Sequence, residues 1–473
     1  MSPLSSTMVW LVPLMLGSGL WAAAAGWPRR RAEFATTLGG GWIVGALLCG
    51  QAMRLFAARD LSIGFARVSA CALVLGSTAW MLAWFARGRI ATQPVSATTS
   101  GGGRFASAAL LSALVWRAWL LASDIVLHPV LPWDAWAVWM MKAKTWVLAG
   151  HAAPYVSFGR WLILPELDVR TAAAWNYPEA LPWTLTWFAA DVGWIEPWIN
   201  LAWFGLWGSL LALHYGQWRV LGVSRVHSLT GVYLLASLPL LDAHVALGGY
   251  ADLWVAALMS LGAHAWLRWR ERGERRQLAI VAAIVALLPM LKLEGAVWSI
   301  VLSVAVVIGA LPARLRSKRL FIGAAVAAFA LALCVTLSVP WVAVARRYVH
   351  DSIIVDGARV AQSLHAFANA LWGQWNWNLL WFALPAALVW KRALWSRSTA
   401  IRRMVVLVAV PSLLIISLFA FTTASRYAQS YSAVNRLLLQ LTPMFVSLLV
   451  LVLWLPAEAQ RLERAPAEAD ASA

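Results

Sequence analysis

The run RRMVVLVAVPSLLIISLFAFT, residues 402–422, carries Arg402 and Arg403 at its start and no further charge through Thr422. Its apolar residues show neither the period of two of a half-buried strand nor the polar stripe of a surface helix. At 1.5 Å per residue, a helix of this length covers the roughly 30 Å of a bilayer's hydrocarbon core. Lipid offers the backbone no hydrogen bonds. A long, uniformly apolar run therefore reads as a spanning helix, whereas barrel strands would alternate.

Twelve further runs read the same way: 8–26, 36–55, 62–86, 106–127, 197–215, 227–242, 250–267, 277–291, 295–311, 320–340, 376–391 and 436–456. The expected fold is an all-α polytopic integral membrane protein with about 13 transmembrane helices. Composition agrees. The chain is 62% hydrophobic and 12% charged, against about 25% charged for a soluble domain. The basic excess, 38 Lys+Arg over 20 Asp+Glu, falls in short clusters between apolar runs. Nucleic-acid binding would gather it into one patch, whereas topology signals scatter it along loops. Cys49, Cys71 and Cys334 all lie within apolar runs and form no disulfide or metal motif.

Met1 to Trp10 is uncharged and Arg29, Arg30 and Arg31 follow the first run. That order is the reverse of a cleaved signal and places the N-terminus outside. The cytoplasmic loops are then 27–35, 87–105, 216–226, 268–276, 312–319, 392–403 and the tail. With Lys391 they hold 24 of the 38 cations, whereas 12 lie outside and Arg67 and Arg117 fall within spans. The chain divides into N-terminal helices with a cytoplasmic loop (1–105), a larger module (106–456) and a disordered cytoplasmic tail (457–473). Two outer segments, 128–196 and 341–375, are long enough to be functional.

The first outer segment opens on Trp133-Asp134-Ala135-Trp136 and is helical in pattern to Gly150. Trp136, Trp139, Met140, Ala143, Trp146 and Val147 share one face, with Lys142 and Lys144 on its flanks. The expectation is an amphipathic helix on the membrane surface, tryptophans at headgroup depth and lysines snorkelling upward. Ten of the 33 tryptophans lie between Trp133 and Trp198. Interfacial enrichment accounts for most of them, and aromatic faces also stack on sugar rings.

Four elements together resemble the GT-C superfamily of membrane glycosyltransferases, nearest to the protein mannosyltransferase and aminoarabinose transferase branch. They are Asp134 with its juxtamembrane helix, Asn176-Tyr177-Pro178-Glu179, Gly249-Tyr250-Ala251-Asp252, and Asn435-Arg436-Leu437-Leu438 running to Pro443. Lys292-Leu293-Glu294-Gly295 looks like a further shared element. The family's paired Asp-Glu is here Asp134-Ala135, Leu437 replaces its usual tyrosine, and three spans precede the usual first one. The resemblance implies transfer of a sugar from a polyprenyl-phosphate carrier to a hydroxyl of a glycan, lipid or protein acceptor. It places the site on the extracytoplasmic face of a plasma (inner) membrane, in contact with membrane lipid and with no role for nucleic acid.

Such an enzyme needs a base, and Asp134 is the first candidate, with an N-cap role as the plainer alternative. Asp252 would position the acceptor, pair with a lysine, or share a divalent metal with Asp134; its plainer reading is a helix-start acid. Asp242 and His244 are weaker metal candidates. Arg436 offers a bidentate fork to the carrier phosphate. Lys292 and Glu294 are expected in a non-helical turn with separate partners, since residues two apart do not face each other on a helix. Lys142, Lys144 and Tyr177 would contact the donor or simply anchor the loop. Arg346, Arg347, His350, Asp351 and Asp356, in the second outer segment, would shape an acceptor site. With Arg359 and His365, that segment keeps a lipid-linked polysaccharide polymerase or ligase in view. A secondary transporter would show charges and broken helices near the midplane and often inverted repeats. An inactive assembly subunit would lack convergent acids and cations.

Overall fold

The computed structural model describes residues 3–59, 64–87, 101–164, 168–312, 356–431 and 433–456, with isolated positions 315, 318, 322, 323 and 326. The described chain is almost wholly helical, its one sheet being the two-residue parallel pairing of Tyr155–Val156 with Arg170–Thr171. Seven helices are long and apolar enough to cross a membrane: Ser6–Ala25, Arg31–Ala57, Phe65–Phe85, Gly102–Leu127, Leu293–Ala310, Thr399–Phe421 and Val434–Trp454. An eighth span arises if helices Arg225–Ala236 and Pro239–Ala246 count together. The chain is thus an all-α membrane protein.

Several expected spans differ. The run 227–242 bends by 64° between those two helices, because Pro239 cannot continue the first. The run 376–391 yields only helix Leu380–Trp390, preceded by a π-helical turn, Asn369–Gly373, and a 3-10 turn, Trp375–Trp377. Helices Glu196–Val220 and Asp252–Arg272 are long, but they pass through the bundle interior and carry buried polar groups. The run 320–340 and the tail beyond 456 lie outside the described residues apart from 322, 323 and 326.

The first three helices are built into the rest of the fold. A Cβ on Gly17 would lie 1.8 Å from Gly41 O, so these backbones touch and only glycine fits. Helix Arg31–Ala57 packs against both Glu196–Val220 and Ala180–Ala189. The latter lies inside the expected outer segment, yet all ten of its residues are buried. Leu181, Trp183, Leu185, Trp187 and Phe188 make it apolar on every side, so it dips into the bundle. Trp187 Nε1 donates to Val9 O at 3.0 Å, tying it to the first helix.

Helix Asp252–Arg272 sets the axis of the site. Its 21 residues span about 31 Å. One end holds Asp252; the other holds Arg268, bonded to Glu274 at 2.5 Å, and Glu271, paired with Arg403. Arg272 donates to Val220 O, and Arg276 approaches Gly26. Segments around 26–33, 219–222, 268–276 and 399–403 therefore meet at one end of the bundle, as their cation content predicted.

Candidate functional site

The opposite end is built on three chain breaks. The first is the turn after Gly101–Leu127, where Asp134 precedes a π-helical turn, Ala135–Trp139, that runs into helix Met140–Ala149. The second is Gly249, at φ +123°, which leads into Asp252. The third is Lys292, in extended conformation between helices Gln277–Leu291 and Leu293–Ala310. Gly249 is required here. A Cβ on it would lie 2.1 Å from Ala135 Cβ, so the Asp134 turn sits directly on the Gly249 loop. Ala135 is fully buried at that contact. A glutamate side chain at position 135 has no room there.

Five of the sequence-derived residues converge. Arg436, on the first turn of helix Val434–Trp454, donates from Nη2 to Asp134 Oδ2 at 2.6 Å and to Asp252 Oδ2 at 2.8 Å. Its Nε reaches Asp252 Oδ2 at 2.9 Å. Lys292 Nζ donates to Asp252 Oδ1 at 2.7 Å. Glu294 completes the set, 3.1 Å from Lys292 Nζ. Lys292 and Glu294 therefore do face each other, contrary to expectation, because the extended Lys292 removes the helical geometry that would separate them. Asp134 accepts no capping bond from its own helix. Its partner is the arginine of the last span.

Burial grades the group. Asp252 is completely buried, whereas the side chains of Asp134 and Arg436 are about a quarter exposed, at 25% and 23%. The exposed edge of the cluster is thus an acid and a guanidinium side by side. Two residues were missed by sequence reasoning. Gln440 donates to Asp252 Oδ1 at 2.7 Å and accepts from Trp298 Nε1 at 2.6 Å. Tyr250 lies under the Arg436 guanidinium, 4.8 Å from ring centroid to Cζ. Gln440 stands one helical turn after Arg436 on the same face.

Neither a scan against protein-family models nor searches of curated proteins and solved structures found a match. The site therefore has to be read from its own chemistry.

A divalent metal shared by Asp134 and Asp252 does not fit this donor set. The Arg436 guanidinium spans the gap between the two carboxylates and supplies the positive charge a metal would bring. Among the described residues, no group of three His, Cys, Asp or Glu side chains could hold a metal ion. Asp242 pairs with Arg117, and the His244 ring lies tilted against Tyr250, centroids 4.8 Å apart, so these two face different neighbours.

The loop residues have other tasks. Lys142, expected to snorkel, is buried, and it donates to Trp175 O at 2.8 Å, Tyr177 O at 3.4 Å and Glu179 at 3.3 Å. It clamps the loop before helix Ala180–Ala189 onto helix Met140–Ala149. Burial pushes its ammonium below the usual lysine range, while Glu179 pulls the other way. Tyr177 packs on Trp139, centroids 5.7 Å apart. The inner part of the tryptophan stripe faces the bundle, whereas Trp136 stays half exposed. Trp139 and Trp146 are buried, and Trp146 stacks on Trp183 at 4.4 Å. The deep helix Ala180–Ala189 offers them a wall that the sequence does not advertise.

Lys144 is half exposed and pairs with Glu196 at 3.1 Å. Both line a cleft of about 340 Å³ with Trp136, Thr145 and Trp194. Asp356 caps helix Gly357–Ala368 by accepting from Ala358 N at 3.1 Å, and Ser363 on that helix anchors it to Phe419 O at 2.9 Å. Arg346, Arg347, His350 and Asp351 lie outside the described residues.

Proposed function

We propose that this chain is a membrane glycosyltransferase of the GT-C type, moving a sugar from a polyprenyl-phosphate carrier to an acceptor hydroxyl on the extracytoplasmic side. The observation that carries the reading is the Asp134–Arg436 contact, 2.6 Å long and partly open, backed by the buried Asp252. A base and a phosphate-binding cation stand together, at the end of the bundle away from the arginine-rich loops. The positive-inside rule then puts the site outside. The full count of about 13 spans belongs to this proposal as well.

In the proposed reaction the carrier phosphate takes over the Arg436 guanidinium and frees Asp134. The acceptor oxygen bonds to the anomeric carbon as the bond from that carbon to the phosphate oxygen breaks. The bonding pair leaves on the phosphate, where Arg436 stabilises it, and the hydroxyl proton passes to Asp134. Asp252, held by Lys292, Arg436 and Gln440, has no free oxygen for this work. It positions the arginine. The cleft bearing Trp136, Trp194, Lys144 and Glu196 offers aromatic and polar walls of the kind sugars use.

The test is transfer of radiolabelled sugar from polyprenyl phosphate in membranes containing the chain. Asp134→Asn keeps the side chain's shape and removes its charge. It should insert normally and lose at least about 10²-fold in rate, as general-base loss does. No transfer by the wild type across the common lipid-linked sugars would sink the proposal. A secondary transporter is the second reading, favoured by the 64° break between Arg225–Ala236 and Pro239–Ala246. It predicts counterflow of a solute in vesicles without any transfer.

A further inference from the structure

A second charged group lies apart from the Asp134–Arg436 centre. Helix Gly101–Leu127 has few buried residues, as expected of a lipid-facing span, yet Arg117 stands well inside it. Charges within a span are costly and mark sites by default. Arg117 Nε donates to Ala236 O at 2.5 Å, at the break between the two bent helices, and its Nη2 pairs with Asp242. The Nη1 group is used by neither contact. Asp242 Oδ1 is buried without a hydrogen-bond partner. These side chains line a cleft of about 550 Å³ together with Asp124, Ser123 and the apolar Leu120, Leu121 and Leu127.

Spacing makes this one surface. Leu120, Leu121, Asp124 and Leu127 follow Arg117 at intervals of three and four, so they share a helix face. Asp242, Ala243 and Ala246 form the facing wall on helix Pro239–Ala246. Arg117 lies two turns inside Asp124, about 10 Å along the axis. A headgroup bound here sits below the ordinary headgroup plane, which distinguishes the cleft from bulk annular contact.

Charge selects the occupant. The cleft holds one cation, Arg117, and two acids, Asp124 and Asp242. A lipid with only a phosphate would meet both carboxylates. A lipid with only a cation would meet the guanidinium. We infer that this cleft binds a zwitterionic phospholipid whose head carries a primary ammonium, as phosphatidylethanolamine does. Its phosphate bonds to Arg117, and its N–H groups bond to Asp242 Oδ1 and Asp124. A quaternary choline head has no N–H to give and leaves the Asp242 oxygen unsatisfied, so it binds less well than the ethanolamine head. This site is independent of sugar transfer.

The experiment is native mass spectrometry of the full chain in detergent, incubated with equal amounts of phosphatidylethanolamine, phosphatidylcholine, phosphatidylglycerol and a polyprenyl phosphate. The wild type should retain the ethanolamine lipid several-fold over each of the others. Asp124→Asn combined with Asp242→Asn removes the ammonium acceptors while keeping Arg117, and should move the preference to phosphatidylglycerol. Asp124 is half exposed, so Asp124→Asn alone tests the same shift with little risk to folding. Equal retention of the ethanolamine and choline lipids overturns the inference. So does wild-type preference for phosphatidylglycerol or polyprenyl phosphate, or an ethanolamine preference that survives all these substitutions.

Discussion

Asp134 Oδ2 and Arg436 Nη2 lie 2.6 Å apart, joining the turn after helix Gly101–Leu127 to the start of helix Val434–Trp454. The same guanidinium nitrogen reaches the buried Asp252 at 2.8 Å. Arg436 is therefore held from behind by an acid that water cannot reach, and from the front by an acid that it can. Removing the front partner leaves the arginine in place. Removing the rear one leaves both Arg436 and Lys292 without their common anion.

That asymmetry sets the first prediction. Asp252→Asn should destabilise the protein by about 3–5 kcal/mol, the usual result of breaking a buried ion pair from one side. Adding Lys292→Met to it removes one of the two stranded cations, and the double variant should unfold at a higher temperature than Asp252→Asn alone. Thermal unfolding of detergent-purified protein, followed by fluorescence, reads both. With Lys292→Met measured alone as well, a double variant that loses the sum of the two single losses would mean that Lys292 and Asp252 are not energetically coupled.

Ala135 supplies the second. The family resemblance invites Ala135→Glu, which restores an Asp-Glu pair. The contact with Gly249 forbids it, since even a Cβ at position 249 would lie 2.1 Å from Ala135 Cβ. Ala135→Glu should therefore lower the yield of monodisperse protein, and Ala135→Ser should be tolerated far better. Normal yield and activity for Ala135→Glu would show that the loop gives way easily.

Much of this was legible in the sequence. Long apolar runs mark spans because lipid demands internal hydrogen bonding. Isolated charges at their ends, Asp252, Lys292 and Arg436, mark a site because burying them alone is costly. What the sequence concealed was depth. Helix Ala180–Ala189 is too short to announce itself as membrane-embedded, yet its burial turns Trp139, Trp146 and Lys142 inward. Periodicity showed that the tryptophans share a face, but not what that face meets. Gln440 was hidden for another reason: a single amide in an apolar run reads as tolerated polarity until its partner, Asp252, is brought beside it.

The loop from His151 to Arg170 carries a pH dependence of its own. His151 Nε2 bonds to Asp168, and this bond, with a smaller contribution from Ala149 O, raises the His151 pKa above its ordinary 6.5. The protonated form is the bonded one. The pair's stabilisation is therefore fully present below about 6.5 and is lost as pH rises through the raised value. Both side chains are half exposed, so the effect stays local. Cleavage by trypsin at Arg160 and Arg170 should rise with pH more steeply in the wild type than in Asp168→Asn, which lacks the pair throughout. Parallel pH profiles for the two would remove His151 from the loop's stability.

The last prediction separates the two faces of the Asp134–Arg436 contact. Arg436→Ala removes a cation that would hold the carrier phosphate in both the ground and transition states. Loss of such uniform binding raises the apparent KM for the donor, so a higher donor concentration should recover part of the lost rate. Asp134→Asn removes a group that, in the proposed reaction, is needed only as the acceptor's proton leaves. Its rate should stay low at every donor concentration. Arg436→Lys keeps the charge but not the two-pronged reach to Asp134 and Asp252, and should fall between wild type and Arg436→Ala in donor KM. Initial rates across a donor series in reconstituted vesicles, normalised to inserted protein, distinguish the three. If Asp134→Asn and Arg436→Ala respond alike to added donor, the two residues act as one structural unit, and the division into base and phosphate ligand is wrong.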